Sequence, residues 1–234
     1  MRTLPLAVEY RVYQWLLACW PAGGVDAAAL AEFAAAVAAR AGDDAVRAFV
    51  TALFTAEDAR FFRQAFVPFA DALVERATTL HLAALVLQCT APGVPLIAAD
   101  AEFSPSAPPA ELTASDHGGR LRLFVLRTLL GLRQRHPALF HGSKYLSEKA
   151  VGKLGDCCVA FARESAEHAL LVVVPRMFPP PGQAWEKTAL EICGITKLHW
   201  VNVFTGAEST GPYLPLSDAF VQLPVAVFLA RSEP

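Results

Sequence analysis

The spacing of apolar residues changes once along this chain, near Gly142. Before that point they recur every three or four residues; after it they form short runs broken by glycine and proline. A helix buries a stripe and a strand buries a face, so segregated halves of this kind predict an α+β protein rather than alternating β–α units. In the first half Val8, Val12, Trp15, Leu16 and Cys19 mark one helix face, which ends at Pro21-Ala22-Gly23-Gly24. Asp26 is suited to cap a helix from Ala27 to Ala41, with Gly42 as its stop. Asp43 or Asp44 then starts a third helix, with Val46, Phe49, Val50 and Leu53 on one face. Thr55-Ala56-Glu57-Asp58 reads as another helix start, its acids placed where the helix dipole favours them. Phe61, Phe62, Phe66, Phe69 and Leu73 carry the pattern towards Leu87, and Pro68 predicts a kink or break.

Leu96-Ile97-Ala98-Ala99 reads as a short buried strand, and Ser104 to Gly119 as a loop by its prolines, glycines and small polar residues. Leu121, Phe124, Leu129 and Leu132 stripe a helix that ends at Arg133-Gln134-Arg135-His136, before Pro137. The strand candidates beyond Gly142 are Val159–Ala162, Leu170–Val174, Leu190–Ile192, His199–Phe204, Phe220–Leu223 and Val225–Leu229. Their spacing predicts an antiparallel β-sandwich. The expected domains are therefore a helical region over residues 1–140 and a β-sandwich over residues 141–234.

Composition excludes several classes of protein. A chain that is 54% hydrophobic and 18% charged is not disordered. With a net charge of −2 and no cluster of Lys or Arg, it has no electrostatic footprint for nucleic acid. No apolar run approaches the roughly 18 residues of a membrane span. The start of the chain, with Arg2, Pro5, Glu9 and Arg11, does not read as a signal peptide, so a cytoplasmic location is expected. Five scattered cysteines (Cys19, Cys89, Cys157, Cys158 and Cys193) predict reduced, structural thiols. No histidine or cysteine spacing supports a metal site, and no cofactor is expected.

Several segments, in order, resemble one family. They are Glu9 to Pro21, with its Tyr-x-x-Tyr-Gln and Trp-Pro elements, and Thr90-Ala91-Pro92-Gly93-Val94-Pro95. The others are Leu129 to Phe140, Cys158 to Arg163, Leu170 to Arg176, and Trp200 to Gly206. Together they resemble the C-terminal part of the maltooligosyltrehalose synthases, glycosidases of the α-amylase superfamily. The resemblance implies that the helical region is a remnant of the end of a TIM-type barrel plus a helical insertion, followed by the terminal β-domain. It also implies that the catalytic carboxylates of the family belong to segments upstream of Met1.

After Pro95 the family continues with an acid and a polar cluster, whereas this chain has Leu96, Ile97, Ala98, Ala99, Asp100, Ala101 and Glu102. Polar positions of the preceding helix are here Leu80 and Ala84. The expected function is accordingly non-catalytic: an accessory or carbohydrate-binding module of α-glucan or trehalose metabolism. The alternative is one subunit of a split synthase, an intramolecular transglucosylase whose partner brings the carboxylates. No catalytic residue is assigned. The candidate sugar contacts are Tyr13, Gln14, Trp20, Asp100 and Glu102, with core packing the competing reading for the aromatic residues. Expected partners are an α-glucan or maltooligosaccharide, and either a catalytic subunit or a second copy of the chain that covers exposed strand edges.

Overall fold

The computed structural model describes residues 4–21, 24–96, 119–179 and 185–231. The chain divides into two compact units, Met1–Ala77 and Thr78–Pro234. This packing division lies inside a long helix.

The first unit contains α1 (Leu6–Cys19), α2 (Leu30–Ala38), α3 (Asp44–Thr55) and the first half of α4 (Arg60–Thr90). Its core gathers Val12, Leu16, Trp20, Ala34, Ala38, Val50, Leu53, Phe54, Phe66 and Ala70. Small residues at positions 34 and 38 let α2 lie close to α3. Asp43 caps α3 as its sequence position predicts, with Oδ1 accepting from Ala45 N at 2.7 Å and Val46 N at 3.3 Å. Asp26 accepts from Ala29 N at 2.7 Å but supports a turn, and α2 begins only at Leu30. The break expected at Pro68 does not occur, because α4 runs through it for 31 residues. Pro68 and Gln64 are both exposed, so water can satisfy the Gln64 carbonyl that loses its helical donor.

Among the described residues, the second unit holds the rest of α4, α5 (Gly119–Arg135), a one-turn helix α6 (Leu216–Ala219) and eight strands. These are β1 (Lys144–Gly152), β2 (Cys158–Glu164), β3 (His168–Pro175), β4 (Thr188–Glu191), β5 (His199–Asn202), β6 (Glu208–Thr210), β7 (Tyr213–Pro215) and β8 (Ala226–Arg231). All pairs are antiparallel, in the order β6-β5-β8-β3-β2-β1-β4-β7. The α+β class therefore stands, but two separate sheets are not formed. Strand β1 pairs with β2 over Lys144–Glu148 and with β4 over Lys149–Gly152, which joins all eight strands into one sheet. The end strands β6 and β7 come together, so the sheet curls almost into a barrel. At the end of β1, Gly152 has φ +114°, and a Cβ there would lie 2.0 Å from the Lys187 carbonyl oxygen. Phe220–Leu223, expected as a strand, instead forms the turn after α6.

Both faces of the sheet are buried, which explains the unbroken apolar run of β3. One face packs Phe161, Leu170, Val172, Val174 and Val227 against Leu82, Val86, Leu121, Val125 and Leu129 of α4 and α5. The other lines the inside of the curl with Ala160, Ala162, Ala169, Leu171, Val173, Trp200 and Phe228. Glu148 also faces inward, opposite Ala160, and is only 6% exposed. Its Oε2 accepts from Cys193 N at 3.0 Å, while its Oε1 has no partner among the described residues. Burial raises the Glu148 pKa, and the Cys193 N–H lowers it only in part. A raised carboxyl pKa means that the folded state binds the proton more tightly, so its stability contribution is complete at low pH. That contribution falls as pH rises from the ordinary carboxylate range through the folded pKa. Glu148→Gln is therefore expected to be more stable than wild type at pH 7 and to lose the advantage at acidic pH. Urea titrations at both pH values check this, and equal differences at the two would refute it.

Candidate functional site

The strongest polar construction in the second unit surrounds the C-terminus of α4, where Thr90–Pro95 leaves the helix. A helix end leaves carbonyls without intrahelical partners, and cations there oppose the negative end of its dipole. Two arginines supply both needs. From α5, Arg133 donates Nη1 to Cys89 O at 2.9 Å and Nη2 to Gly93 O at 2.8 Å. From β2, Arg163 donates Nη1 to Thr90 O at 3.1 Å, Nη2 to Phe140 O at 3.3 Å and Nε to Ser143 Oγ at 3.1 Å. The Phe140 ring lies by both guanidinium groups, its centroid 4.5 Å from that of Arg133 and 5.4 Å from that of Arg163.

Arg163 is 3% exposed, and among the described residues carbonyls and a hydroxyl take the place of a carboxylate partner. Burial lowers its pKa, with the nearby Arg133 charge adding to the effect. Arginine nonetheless stays protonated. The same burial pushes the Cys89 thiol up to about 11, against the pull of Arg133. Thr90 closes its own turn by donating Oγ1 to Val86 O at 2.6 Å, and Gln88 Nε2 donates to Leu96 O. The result is a fixed corner at the end of α4.

Sequence reasoning missed this lock. It assigned Arg133 to the end of its own helix, yet the side chain reaches 40 and more residues back to cap another. The signal available for Arg163 was a charge closing the apolar run Cys158 to Ala162, directly before Glu164.

Three of the candidate sugar contacts, Tyr13, Gln14 and Trp20, lie among the described residues. Tyr13 is half-buried against Phe62, with ring centroids 5.6 Å apart, and its hydroxyl donates to Glu9. Burial first, and then the Glu9 contact, push its pKa above the ordinary phenol value. Trp20 is buried between Phe33 and Phe66, at 4.9 and 5.4 Å, and donates Nε1 to Asp71 at 2.7 Å. Gln14 lies on the exposed side of α1. Asp100 and Glu102, with the expected strand beyond Leu96, lie outside the described residues. Among the described residues no group of three or more His, Cys, Asp or Glu is placed to hold a metal, and no helix is long and apolar enough to cross a membrane.

A second feature, in the first unit, is a groove of about 310 Å³ between α1 and the α2–α3 turn. Its walls are Val8, Val12, Trp15 and Val46 on the apolar side, with Arg11, Arg40 and Asp43 around them.

No family model matches the sequence, and a comparison with curated proteins found no match. Solved structures do share the fold, and they place it with the C-terminal part of the trehalose-forming synthases. Maltooligosyltrehalose synthase from Arthrobacter ramosus matches 95% of this chain at 21% identity, with a TM-score of 0.60. A hypothetical maltooligosyl trehalose synthase from Sulfolobus tokodaii matches 95% at 18% identity, with a TM-score of 0.58. In each case the chain spans 32% of the matched structure's length. At such identity the likeness is one of fold, and it is to a C-terminal part of these synthases.

Proposed function

We propose that the chain acts as a non-catalytic accessory or carbohydrate-binding module in α-glucan or trehalose metabolism, in the cytoplasm. The observation that carries this reading is the fold likeness to maltooligosyltrehalose synthases across 95% of the chain. It is joined by a sequence departure: the family's polar cluster after Pro95 is replaced by Leu96, Ile97, Ala98 and Ala99. On this reading the corner locked by Arg133 and Arg163 is kept for architecture. Residues 1–140 are then the part related to the end of the barrel and its insertion, and residues 141–234 the terminal domain.

The second reading, which rests on the same fold likeness, is that the chain is one subunit of a split enzyme, completed by a partner that carries the catalytic carboxylates. Purified protein incubated with maltopentaose separates the readings when it is tested alone and with cell extract. Saturable binding without non-reducing product supports the module. Trehalose-ended product formed only with extract supports the split enzyme, and product formed by the pure chain refutes both. Light scattering on the same sample reports whether a second copy is the partner.

A further inference from the structure

The groove between α1 and the α2–α3 turn has an unusual polar inventory. Its apolar wall, Val8, Val12, Val46 and the half-buried Trp15, is the kind of surface on which the C–H face of a sugar ring packs. Its acceptors are partly engaged. The Asp43 carboxylate takes the Ala45 and Val46 amides at the start of α3 through Oδ1 alone, and the Ala41 carbonyl accepts from Arg47 Nη2 at 3.0 Å. The cations are not engaged: Arg11 and Arg40 have neither hydrogen bond nor ion pair among the described residues. A neutral sugar offers hydroxyls that need donors and acceptors in equal measure, whereas this lining sets two unengaged guanidinium groups against the one remaining Asp43 carboxylate oxygen. Guanidinium forks match the paired oxygens of a phosphate.

We propose that this groove binds a phosphorylated hexose, its ring against Trp15 and its phosphate between Arg11 and Arg40. The site is separate from any glucan contact of the previous section, and it uses a residue, Trp15, that core packing only half consumes.

Calorimetry with glucose 6-phosphate, glucose and inorganic phosphate tests the idea, alongside the Trp15 indole N–H resonance assigned by its loss in Trp15→Phe. Glucose 6-phosphate is expected to bind saturably and to shift that resonance. Glucose and phosphate alone should each bind at least about tenfold more weakly, because each keeps half of the contacts. Arg11→Gln/Arg40→Gln should weaken glucose 6-phosphate about tenfold or more. Gly42→Asp tests the charge requirement without disturbing the core, since an added Cβ there meets nothing within 4 Å, and it should weaken binding likewise. Equal affinity for phosphate and glucose 6-phosphate, unchanged binding in these variants, or no saturation below about 10 mM would overturn the proposal. A chain that binds maltotetraose but not glucose 6-phosphate overturns it while leaving the glucan reading intact.

Discussion

Arg163→Met is expected to lower the stability of the second unit by about 3 kcal/mol, because two buried carbonyls and a half-buried hydroxyl lose their donor at once. The acceptors are the carbonyls of Thr90 and Phe140 and the hydroxyl of Ser143, and methionine can satisfy none of them. Removing a buried charge recovers its desolvation cost, which would favour the variant if its partners left with it. They stay, since two of the three are backbone. Arg163→Lys keeps the charge but not the fork, and should fall between the two. The loss should amount to about 6–12 °C in a thermal transition of a unit this size. Hydrogen exchange of β2 and β3 amides reads it directly. A methionine variant with unchanged protection would mean that the corner is held by packing and that the arginine is dispensable.

Trp20→Ala should have the largest effect in the first unit, on the order of 4 kcal/mol. The indole fills the space between Phe33, Phe54 and Phe66, and its N–H is a partner of Asp71, so truncation removes ring packing and a hydrogen bond together. A core of this size has little stability to spare. The amides of α1, α2 and α3 are expected to lose protection while those of β3 keep theirs, since the two units have separate cores. Equal loss in β3 would show that the units unfold as one.

Much of the architecture was legible because the two periods are distinct. The Asp43 cap, α3, α5 and the central strands β2, β3 and β8 stand close to their expected positions, each carrying an apolar pattern long enough to read. The short strands β6 and β7 have three residues each, too few for any pattern. Strand β1 was missed because its residues alternate weakly: it serves two partners and changes its surroundings midway. In the turn at Phe220–Leu223, Phe220 and Leu223 are apolar for packing into the two cores rather than for pairing, a distinction that composition does not carry. The same gap hid the arginine lock, whose contacts join residues 20 to 73 positions apart. Trp20 illustrates the converse: its aromatic character was plain from sequence, but its neighbours, which make it core, come from α2, α3 and α4.

The way the sheet ends bears on how any partner can attach. Its two outermost strands are only three residues long, and they are joined by Gly211-Pro212, so each guards the other's flank. A foreign polypeptide that binds by extending a sheet needs a longer row of vacant backbone groups than either flank offers. Strand addition at these two flanks is thereby disfavoured, and a companion protein that docks there must recognise side chains, which evolution can retune one at a time.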